Sequence, residues 1–460
     1  MKPTLASAYR LMHDGALALA EVEAAGMRID VARLDRTVEK VGRRVLSLEE
    51  KLKQSGEWKL WRKRFGERTN MRSRSQLAAV LFQEMYHEVG AFTRSGKRIQ
   101  VNEEQLSKID SDFARGFLEV EKLKKLHGTY LKGIRREVAD GFLHPSFNLH
   151  LVKTYRGSCD SPNFQNIPIR DKQIGKLIRS CFVPREGHVL VEIDYSSLEV
   201  RIAACYHKDP TMLEYIADPS KDMHRDMAME CFKLSREQVT KEIRFYAKNC
   251  FVFPEFYGSY FVQVAPNLWD SCHGLKTGDG ITVEEHLAEH GIDGLGSRES
   301  NYTTGRIATT GFYEHVREVE NDFWGRRFLF YAEWKNRWWK RYQQTGWFPL
   351  KTGFRCSGLM KRNDAINYPV QGAAFHCLLW SLIQLVRWMK KSKMRSVIVG
   401  QIHDSIVADV HRDELDDYVA EARRVMTEAI RDAWKWIIVP LEIEVEVAET
   451  NWFEKKALEA

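Results

Sequence analysis

Several features that define common protein classes are missing from this sequence. None of the eight cysteines forms a C-x-x-C pair, which favours reduced thiols over a zinc site or a disulfide framework. No N-terminal signal peptide is visible, and every apolar run looks too short to span a bilayer. There are no repeats or low-complexity tracts. These absences predict a soluble cytoplasmic protein with no membrane partner.

The composition is that of a globular protein. The 460 residues are 44% hydrophobic and 29% charged, enough to bury a large core in two to four subdomains. The net charge is +7, from 70 basic and 63 acidic residues. This modest excess fits a groove that binds a polyanion but does not require one. Thirteen tryptophans are many, and six of them fall between Trp324 and Trp380.

The chain divides into four stretches that differ in composition and in the secondary structure they predict. Residues 1–140 have helical periodicity and many basic side chains. Residues 141–205 mix short strands and turns, and residues 206–355 are again mainly helical. Within them, 266–312 is richer in Gly, Thr, Asp and His, which predicts a polar insertion or mobile excursion. Residues 356–460 return to mixed structure.

The apolar run that begins at Val189 ends in one carboxylate, Asp194. The run predicts a buried strand, and the residues from Ser196 to Arg201 have the composition of a helix start. A carboxylate between a strand and a helix is most often a helix N-cap. The alternative is a metal ligand held on a rigid element.

A second carboxylate lies at the tip of a predicted hairpin. Apolar residues at 397–399 and 406–408 predict two strands, and His403-Asp404-Ser405 forms the turn between them. Acids on adjacent strand ends can bind a pair of Mg²⁺ ions, which clamp the attacking and leaving oxygens of a phosphoryl transfer. The alternative is an ordinary solvent-exposed turn.

Two further stretches suit nucleotides and nucleic acid. Arg244 and Lys248 are four residues apart and share a helix face, followed by aromatic residues. They fit a triphosphate next to a base, or they pair with Glu242 and Glu255 on an ordinary charged helix. Residues 154–170 gather Arg, Asn and Gln in a loop, which either reads minor-groove acceptors or is a polar surface loop.

Taken together and in order, these residues resemble family A DNA polymerases, the bacterial DNA polymerase I type, and look most like phage or prophage members. The motifs are Thr154-x-Arg156, Pro162-Asn163-x-Gln165-Asn166-Ile167-Pro168, Asp194-Tyr195-Ser196 with Glu199 and Arg201, Arg244-x-x-x-Lys248 leading to Tyr257-Gly258, Asn367-x-Pro369-x-Gln371-Gly372, and His403-Asp404. The resemblance covers nearly the whole chain after about residue 15.

The resemblance implies an α+β, right-hand polymerase fold with a helical thumb, a palm around a small antiparallel sheet, and helical fingers. The implied divisions are a residual N-terminal helix or linker at 1–28, a thumb at 29–140, a palm at 141–205 and 356–460, and fingers at 206–355 with the insertion at about 266–312. The implied activity is template-directed addition of dNTPs to a primer 3′-OH by two-metal nucleotidyl transfer.

The resemblance also implies site residues and partners. The expected metal ligands for two Mg²⁺ ions, with Mn²⁺ as a substitute, are Asp194, the Tyr195 carbonyl and Asp404, and Lys248 joins the two acids as a catalytic residue. The expected nucleotide-binding residues are Arg170, Glu199, His224, Arg244, Lys248, Phe253 and Tyr257, with Glu199 as the gate that favours dNTPs over rNTPs. The expected DNA-binding residues are Arg156, Asn163, Gln165, Asn367, Gln371 and His403. Primer-template DNA and dNTPs are the expected partners of a monomer, with a separate exonuclease or replisome proteins as further candidates.

The chain departs from the family pattern at two positions. One extra residue separates Lys248 from Tyr257, so the aromatic next to the nucleotide is Phe253 counted from Tyr257 or Phe251 counted from Lys248. We favour Phe253 and expect a π-bulge or kink near Cys250–Pro254 to absorb the extra residue. Ser405 stands where many relatives have Glu, which predicts weaker metal binding.

Two alternatives and one absence complete the sequence-based interpretation. A single-subunit RNA polymerase shares the palm chemistry, but Glu199 argues against it. An inactive DNA-binding subunit would have no need to retain Asp194, Asp404, Arg244 and Lys248 together. The residues before Val31 are too few for a proofreading exonuclease, so we expect no proofreading by this chain.

Overall fold

The computed structural model describes residues 3–88, 99–169, 171–300 and 307–458. In these ranges the chain is α+β, with many helices around small antiparallel sheets. The helices are α1 (Leu5–Ala25), α2 (Val31–Lys53), α3 (Gly56–Phe65), α4 (Arg74–Ala78), α5 (Glu103–Ser107), α6 (Asp112–Lys125), α7 (Lys132–Glu137), α8 (Lys172–Arg179), α9 (Leu198–His207), α10 (Pro210–Ala217), α11 (Met223–Phe232), α12 (Lys241–Tyr246), α13 (Phe253–Phe256), α14 (Phe261–Cys272), α15 (Val283–Glu289), α16 (Gly311–Asp322), α17 (Leu329–Thr345), α18 (Arg362–Lys391), α19 (Leu415–Arg423) and α20 (Ile430–Ala433).

The strands are short, and those of the largest sheet come from distant parts of the chain. They are β1 (Met27–Arg28), β2 (Val138–Ala139), β3 (Phe142–Leu143), β4 (Ser146–Asn148), β5 (Ser158–Asp160), β6 (His188–Tyr195), β7 (Arg298–Ser300), β8 (Ile307–Thr309), β9 (Trp347–Pro349), β10 (Arg355–Ser357), β11 (Val397–Ile402), β12 (Ser405–His411), β13 (Ile443–Ala448) and β14 (Lys456–Ala457). Five of them form one antiparallel sheet in the order β11-β12-β6-β13-β14.

Strand β6 is the middle strand of this sheet and separates two cores. Val191, Ile193 and Tyr195 pack into the main core, whereas Leu190 packs into a second core on the opposite face. This alternation is the two-residue period of a strand. Asp194 therefore shares the face of Leu190 and lies at the end of a strand that is held on both sides.

Helix α18 is the long core helix behind the sheet. Its 30 residues pass a length-and-hydropathy test for a membrane span, but 83% of that window is buried inside the protein. We expected every apolar run to be too short to span a bilayer. This was wrong for α18, which is long and apolar enough by length and composition alone. The sequence predicted a helix at 373–391, whereas the observed helix begins at Arg362. The prediction began too late because Pro369, a residue that usually ends a helix, lies inside the observed one.

The insertion predicted at 266–312 is packed in its described part. Leu268, Cys272, Val283 and Leu287 are buried in the main core, on helices α14 and α15. The interpretation of this stretch as a mobile excursion was wrong for these residues. The sequence signal misled because polar residues cover the outer surfaces of both short helices.

The stretch before residue 140 is mainly helical, as its periodicity predicts, but the long helix expected from Val31 to Trp61 divides into α2 and α3. Helix α1 ends before Gly26, whose φ of +63° a side chain would strain, and an added Cβ would lie 2.5 Å from His144. Along α2, a stripe that includes Leu34, Val41 and Val45 is buried, as an amphipathic helix requires. Residues between Leu48 and Val120 form a core of their own.

Candidate active site

Asp194 and Asp404 meet at one end of the central sheet. Asp194 pairs in register with Ser405, the residue after Asp404, and the backbone N–H of Tyr195 donates to the carbonyl oxygen of Asp404 at 3.2 Å. His403 has a φ of +53°, so the hairpin turns sharply there. The predicted hairpin is confirmed, and its tip lies next to the end of β6.

The two carboxyl groups are partly buried and repel each other. Burial, then the charge of Asp404, raises the pKa of Asp194 to about 8. Burial and the charge of Glu199 raise the pKa of Asp404. Such a pair needs either a shared proton or a nearby cation.

The donor set fits Mg²⁺. The described residues contain no cluster of three or more His, Cys, Asp or Glu side chains that could hold a metal ion. Two carboxylates and one backbone carbonyl leave most coordination positions to water and to phosphate oxygens, which is how Mg²⁺ is commonly bound. A zinc site, by contrast, would need a closed set of three or four protein ligands.

Asp194 does not cap the following helix. The N-cap residue of α9 is Ser197, which has a φ of +53° and makes no side-chain capping bond. The Tyr195 side chain is fixed in the core, because its hydroxyl bonds the Ser381 hydroxyl at 2.9 Å and the carbonyl of Met426 at 3.0 Å. The N-cap interpretation of Asp194 is therefore excluded, and the Asp194 carboxylate remains available at the strand end.

A cavity of about 220 Å³ opens beside Asp404. Its walls include Glu199, Phe253, Tyr257, Asn367 and Gln371. The Tyr257 hydroxyl donates to the carboxylate of Glu199, and Arg156 Nη1 lies 3.5 Å from the other Glu199 oxygen. The structure thus brings together residues from five of the sequence motifs around one space.

The helix that carries the cations contains the predicted irregularity. A π-helical turn at Ala247–Val252 separates α12 from α13, so the expected π-bulge is confirmed. Phe251 is fully buried in the core, whereas Phe253 is partly exposed and lines the cavity. One extra residue is absorbed by the wider turn, which leaves Tyr257 facing Glu199.

The predicted triphosphate residues lie close together on one side of the cavity. Burial, then Lys248 and Arg244, lowers the pKa of His224 to about 4, and its ring contacts Phe253 edge-on with centroids 5.8 Å apart. Lys248 Nζ lies 5.1 Å from the Phe253 ring centre, and burial with Arg244 lowers the pKa of Lys248. Arg244 Nε donates to Asp222 at 2.6 Å. Arg170 lies outside the described residues.

The predicted DNA-binding residues are joined by hydrogen bonds. Asn367 Nδ2 donates to the Tyr257 carbonyl at 3.3 Å. Gln165 Nε2 donates to Gln401 Oε1 at 2.7 Å, and Gln401 in turn donates to the His403 carbonyl at 2.7 Å. The 154–170 loop is thereby tied to the hairpin tip. The side chain of Asn163 accepts the Asn166 N–H at 3.2 Å and so caps its own turn.

Two residues of this site were not singled out for these roles from the sequence. Gln401 is buried and connects the loop to the hairpin; a glutamine inside an apolar strand was the available signal. Arg201 was quoted only as part of a motif, yet its guanidinium bonds the Ser196 carbonyl at 3.0 Å and the Pro440 carbonyl at 2.7 Å. No sequence pattern brings residue 440 next to residue 196.

Comparison with known proteins agrees with this geometry. The family model of DNA polymerase family A matches residues 38–271 and 353–454. DNA polymerase I of Lactococcus lactis subsp. cremoris is 30% identical over 97% of this chain and 46% of its own length, and the DNA polymerase of Bacillus phage SP01 is 26% identical over 78% of this chain and 37% of its own length. The chain spans about half the length of the curated relatives it matches.

A solved structure shows the same fold. The POL domain of Pol1 from M. smegmatis, in complex with DNA primer-template and dNTP, superimposes with a TM-score of 0.74 and 24% sequence identity, covering 96% of this chain and 70% of the other. The α+β, right-hand polymerase fold expected from the sequence is therefore confirmed.

Proposed function

The chain belongs to DNA polymerase family A, and from that premise we propose that it is a DNA-directed DNA polymerase that extends a primer 3′-OH with dNTPs. The observation that carries the proposal is the pairing of Asp194 and Asp404 beside a cavity whose wall residue Phe253 contacts both Lys248 and His224. Acids on one side and cations on the other match a metal–triphosphate complex. The thumb, palm and fingers ranges given above are part of the same proposal.

The chemistry assigned to the site is a nucleotidyl transfer. The primer 3′-oxygen attacks the α-phosphate of a dNTP, the 3′-hydroxyl proton is lost, and pyrophosphate leaves. Asp194, Asp404 and the Tyr195 carbonyl would hold two Mg²⁺ ions, which when bound neutralise charge on the attacking and leaving oxygens. Arg244 and Lys248 bind the triphosphate electrostatically, and the hydrogen bond to Asp222 holds the Arg244 guanidinium in place.

Selection of the sugar is assigned to Glu199. Its carboxylate is held from two sides by Tyr257 and Arg156, so it cannot swing away from the cavity without breaking both contacts. A fixed carboxylate at the expected 2′-position would crowd a ribose hydroxyl and favour dNTPs. Phe253 and Tyr257 provide the aromatic surfaces against which a base can stack.

Primer-template DNA is the proposed macromolecular partner. The relative of known structure is described as a complex with primer-template and dNTP, and this chain has its fold. Gln165 is linked to His403 through Gln401, and Asn367 bonds the Tyr257 carbonyl at the cavity wall. Polar side chains of this kind can contact minor-groove acceptors of any base pair. The cytoplasm is the proposed location.

Primer extension by the pure chain tests the proposal. With Mg²⁺, dNTPs and a primer-template, the wild type should extend the primer, and Asp404→Ala should be slower by at least about 10³-fold, as expected when a metal-binding carboxylate is lost. Asp413→Ala, which removes an exposed carboxylate near the far end of β12, should extend normally. Equal extension by the wild type and Asp404→Ala would exclude the proposed site.

Nucleotide choice separates this proposal from an RNA polymerase. The wild type should prefer dNTPs, and Glu199→Ala should accept rNTPs more readily. A wild type that prefers rNTPs would reverse the assignment. Absence of proofreading remains a prediction from the sequence, and removal of a mismatched 3′ nucleotide by the pure chain would refute it.

A further inference from the structure

One segment holds the entire excess of positive charge. Residues 335–362 contain eight Lys and Arg and no Asp or Glu, interleaved with six aromatic residues. The chain as a whole carries +7, so the segment carries +8 and the other 432 residues together carry −1. The segment also holds three of the six clustered tryptophans. The proposed reaction makes no use of this concentration of charge.

Six of these eight cations are exposed in the structure, on the surface of elements that contact one another. The segment runs through α17, the β9–β10 hairpin and the start of α18. Tyr331, Trp334 and Tyr342 face the core from α17, whereas Arg337, Lys340 and Arg341 of the same helix are exposed. We call this surface the basic strip; it comprises Arg337, Lys340, Arg341, Arg355, Lys361 and Arg362, all exposed.

The basic strip is not neutralised by acids of this chain. Among the residues that the structure describes, its one ion pair within 4 Å is with Glu333, whose carboxylate is 3.9 Å from Arg337. The backbone N–H of Lys361 donates to the Asp364 carboxylate at 3.4 Å. Arg362 donates instead to the side-chain oxygen of Asn336 at 2.6 Å. A surface of this charge attracts a polyanion.

Local contacts hold the strip in shape. The Tyr342 hydroxyl donates to the Gly358 carbonyl and accepts the Met360 N–H at 2.9 Å, so the loop after β10 is fixed to α17. The Arg355 guanidinium lies 4.0 Å above the Trp347 ring. Leu359, at the tip of this loop, is fully exposed. The basic strip therefore has a fixed shape in which cations lie next to apolar side chains.

The strip begins at the cavity wall beyond the nucleotide site. A second cavity, of about 420 Å³, is lined by Tyr257, Lys335, Asn336 and Arg362 among others. It shares Phe256, Tyr257 and Asn367 with the first cavity, whereas Asp404 lines the first cavity alone. Tyr257 thus lies between the cavity that Asp404 lines and the cavity that Arg362 of the strip lines.

We propose that the basic strip binds the single-stranded template on the 5′ side of the base being copied. The inference rests on the proposed polymerase function. Unpaired DNA presents phosphates to the cations and bases to Trp347 and Leu359, a combination typical of single-strand binding surfaces. Product duplex is less suited, because of the residues assigned to it only Asn367 lines the second cavity. Most of the segment also falls in 272–352, which the family model does not match.

Fluorescence anisotropy with two substrates tests this. Both contain the same primer duplex, and the template extends one nucleotide beyond the primer in the first and twelve in the second. The wild type should bind the longer template about tenfold more tightly. The Lys340→Gln, Arg341→Gln, Arg355→Gln triple variant should bind both substrates within about twofold of each other. Its slope of log K against log salt on the long template should fall by about 2, as three lost phosphate contacts to a single strand predict.

A control variant distinguishes an effect of the basic strip from an effect of lost positive charge in general. Lys391→Gln, Arg431→Gln, Lys456→Gln removes three cations from exposed positions elsewhere and should keep the wild-type preference for the long template. Both triple variants should extend a primer on the one-nucleotide template at the wild-type rate.

The outcomes distinguish the two proposals. If no protein extends the primer, the polymerase proposal fails. If extension is normal but the strip variant keeps the tenfold preference, the template proposal alone is overturned. If the strip variant binds both substrates more weakly than the wild type by the same factor, duplex DNA lies on the strip. This result would also overturn the template proposal.

Discussion

The Arg201 guanidinium donates from Nε to the carbonyl oxygen of Ser196, five residues earlier, at 3.0 Å. Its other nitrogens donate to the Pro440 carbonyl at 2.7 Å and to the Glu442 carboxylate at 2.5 Å, and the Ser196 N–H donates to the Glu442 carbonyl at 2.9 Å. One buried cation therefore closes the turn that follows Asp194. Tyr195 directly precedes Ser196, and Glu199 lies within the segment that this cation closes.

Replacing Arg201 should loosen that turn. Arg201→Met leaves two carbonyls without their charged donor, and we expect the unfolding free energy to fall by about 2 kcal/mol. We also expect a higher KM for dNTPs and weaker discrimination against rNTPs, because Glu199 loses its fixed position. Arg201→Lys, which can still donate to one or two of these oxygens, should recover part of the discrimination. Steady-state kinetics with dNTPs and rNTPs measures both effects.

Arg412→Met is the matched control for loss of an arginine, since Arg412 bonds Glu449 at the surface away from the cavity. It should leave sugar discrimination unchanged. If Arg201→Met lowers stability but keeps the dNTP-to-rNTP ratio of the wild type, then Arg201 supports the fold alone and does not position Glu199.

Asp404→Asn should abolish extension and yet stabilise the metal-free protein. The charge of Asp404 raises the pKa of Asp194, which means that the two carboxylates destabilise the folded state when both are ionised. Removing one charge should raise the unfolding free energy by on the order of 1 kcal/mol at pH 8 without metal. Urea titration in EDTA measures this, and Mg²⁺ should stabilise the wild type but not the variant.

Asp409→Asn, further along β12, should have the opposite effect on stability. Asp409 is fully buried and bonds Arg185 through its side chain at 2.6 Å. Breaking that pair should cost about 3 kcal/mol. Should Asp404→Asn also lower stability in EDTA, the repulsion between Asp194 and Asp404 would be too weak to support a cation site.

Two buried histidines should make the fold sensitive to acid. Burial lowers the pKa of His207 and of His376 to about 3 each, compared with about 6.5 in an unfolded chain. Between these values the unfolded chain binds protons that the folded chain does not, so the unfolding free energy falls as pH drops below 6.5. Each imidazole should account for about 3 kcal/mol of loss between pH 7 and pH 4.

Neutral replacements should remove part of that sensitivity. His207→Gln with His376→Gln should show a smaller loss of unfolding free energy between pH 7 and pH 4 than the wild type, measured by urea titration at each pH. His13→Gln, at an exposed position on α1, should behave like the wild type. An equal acid loss in the double variant would assign the sensitivity to other groups.

The parts of the site that the sequence predicts are those with local signals. An apolar run ending in an acid predicted β6, and a polar tip between apolar runs predicted the β11–β12 hairpin. The extra residue between Lys248 and Tyr257 predicted the π-helical turn, because the ends of that helix are fixed by separate contacts. Each signal lies within about 15 consecutive residues, so the local sequence pattern is enough to predict the secondary structure.

The parts that the sequence did not predict depend on contacts between distant residues. Gln401 connects Gln165 to His403 across 236 positions of sequence, and Arg201 reaches Pro440 across 239. The burial of the 266–312 stretch is also a tertiary effect, since short helices with polar outer faces give little periodic signal. Assignment of roles to the site residues still depends on the experiments proposed above.

The last prediction concerns the buried carboxyl group behind Tyr257. Glu255 is fully buried, accepts the Trp324 indole N–H at 2.8 Å, and lies against Glu320. Burial, then the charge of Glu320, raises the pKa of Glu255 to about 8. Its ordinary pKa is near 4.5, so between pH 4.5 and 8 the folded state holds a proton that the unfolded chain releases. The unfolding free energy contributed by this group therefore falls as pH rises through that window.

Glu255→Gln should remove that loss. The amide is neutral at every pH and its oxygen can still accept the Trp324 N–H, so the variant should gain stability relative to the wild type from pH 4.5 to 8, by on the order of 3 kcal/mol, and keep a constant advantage above pH 8. Lys335 titrates in the same window, because burial lowers its pKa to about 7 against the opposing charge of Glu255. Glu242→Gln, on the exposed face of α12, should show no such trend. A flat difference between Glu255→Gln and wild type across pH 4.5 to 8 would mean that Glu255 is already ionised in the fold, with Lys335 as its partner.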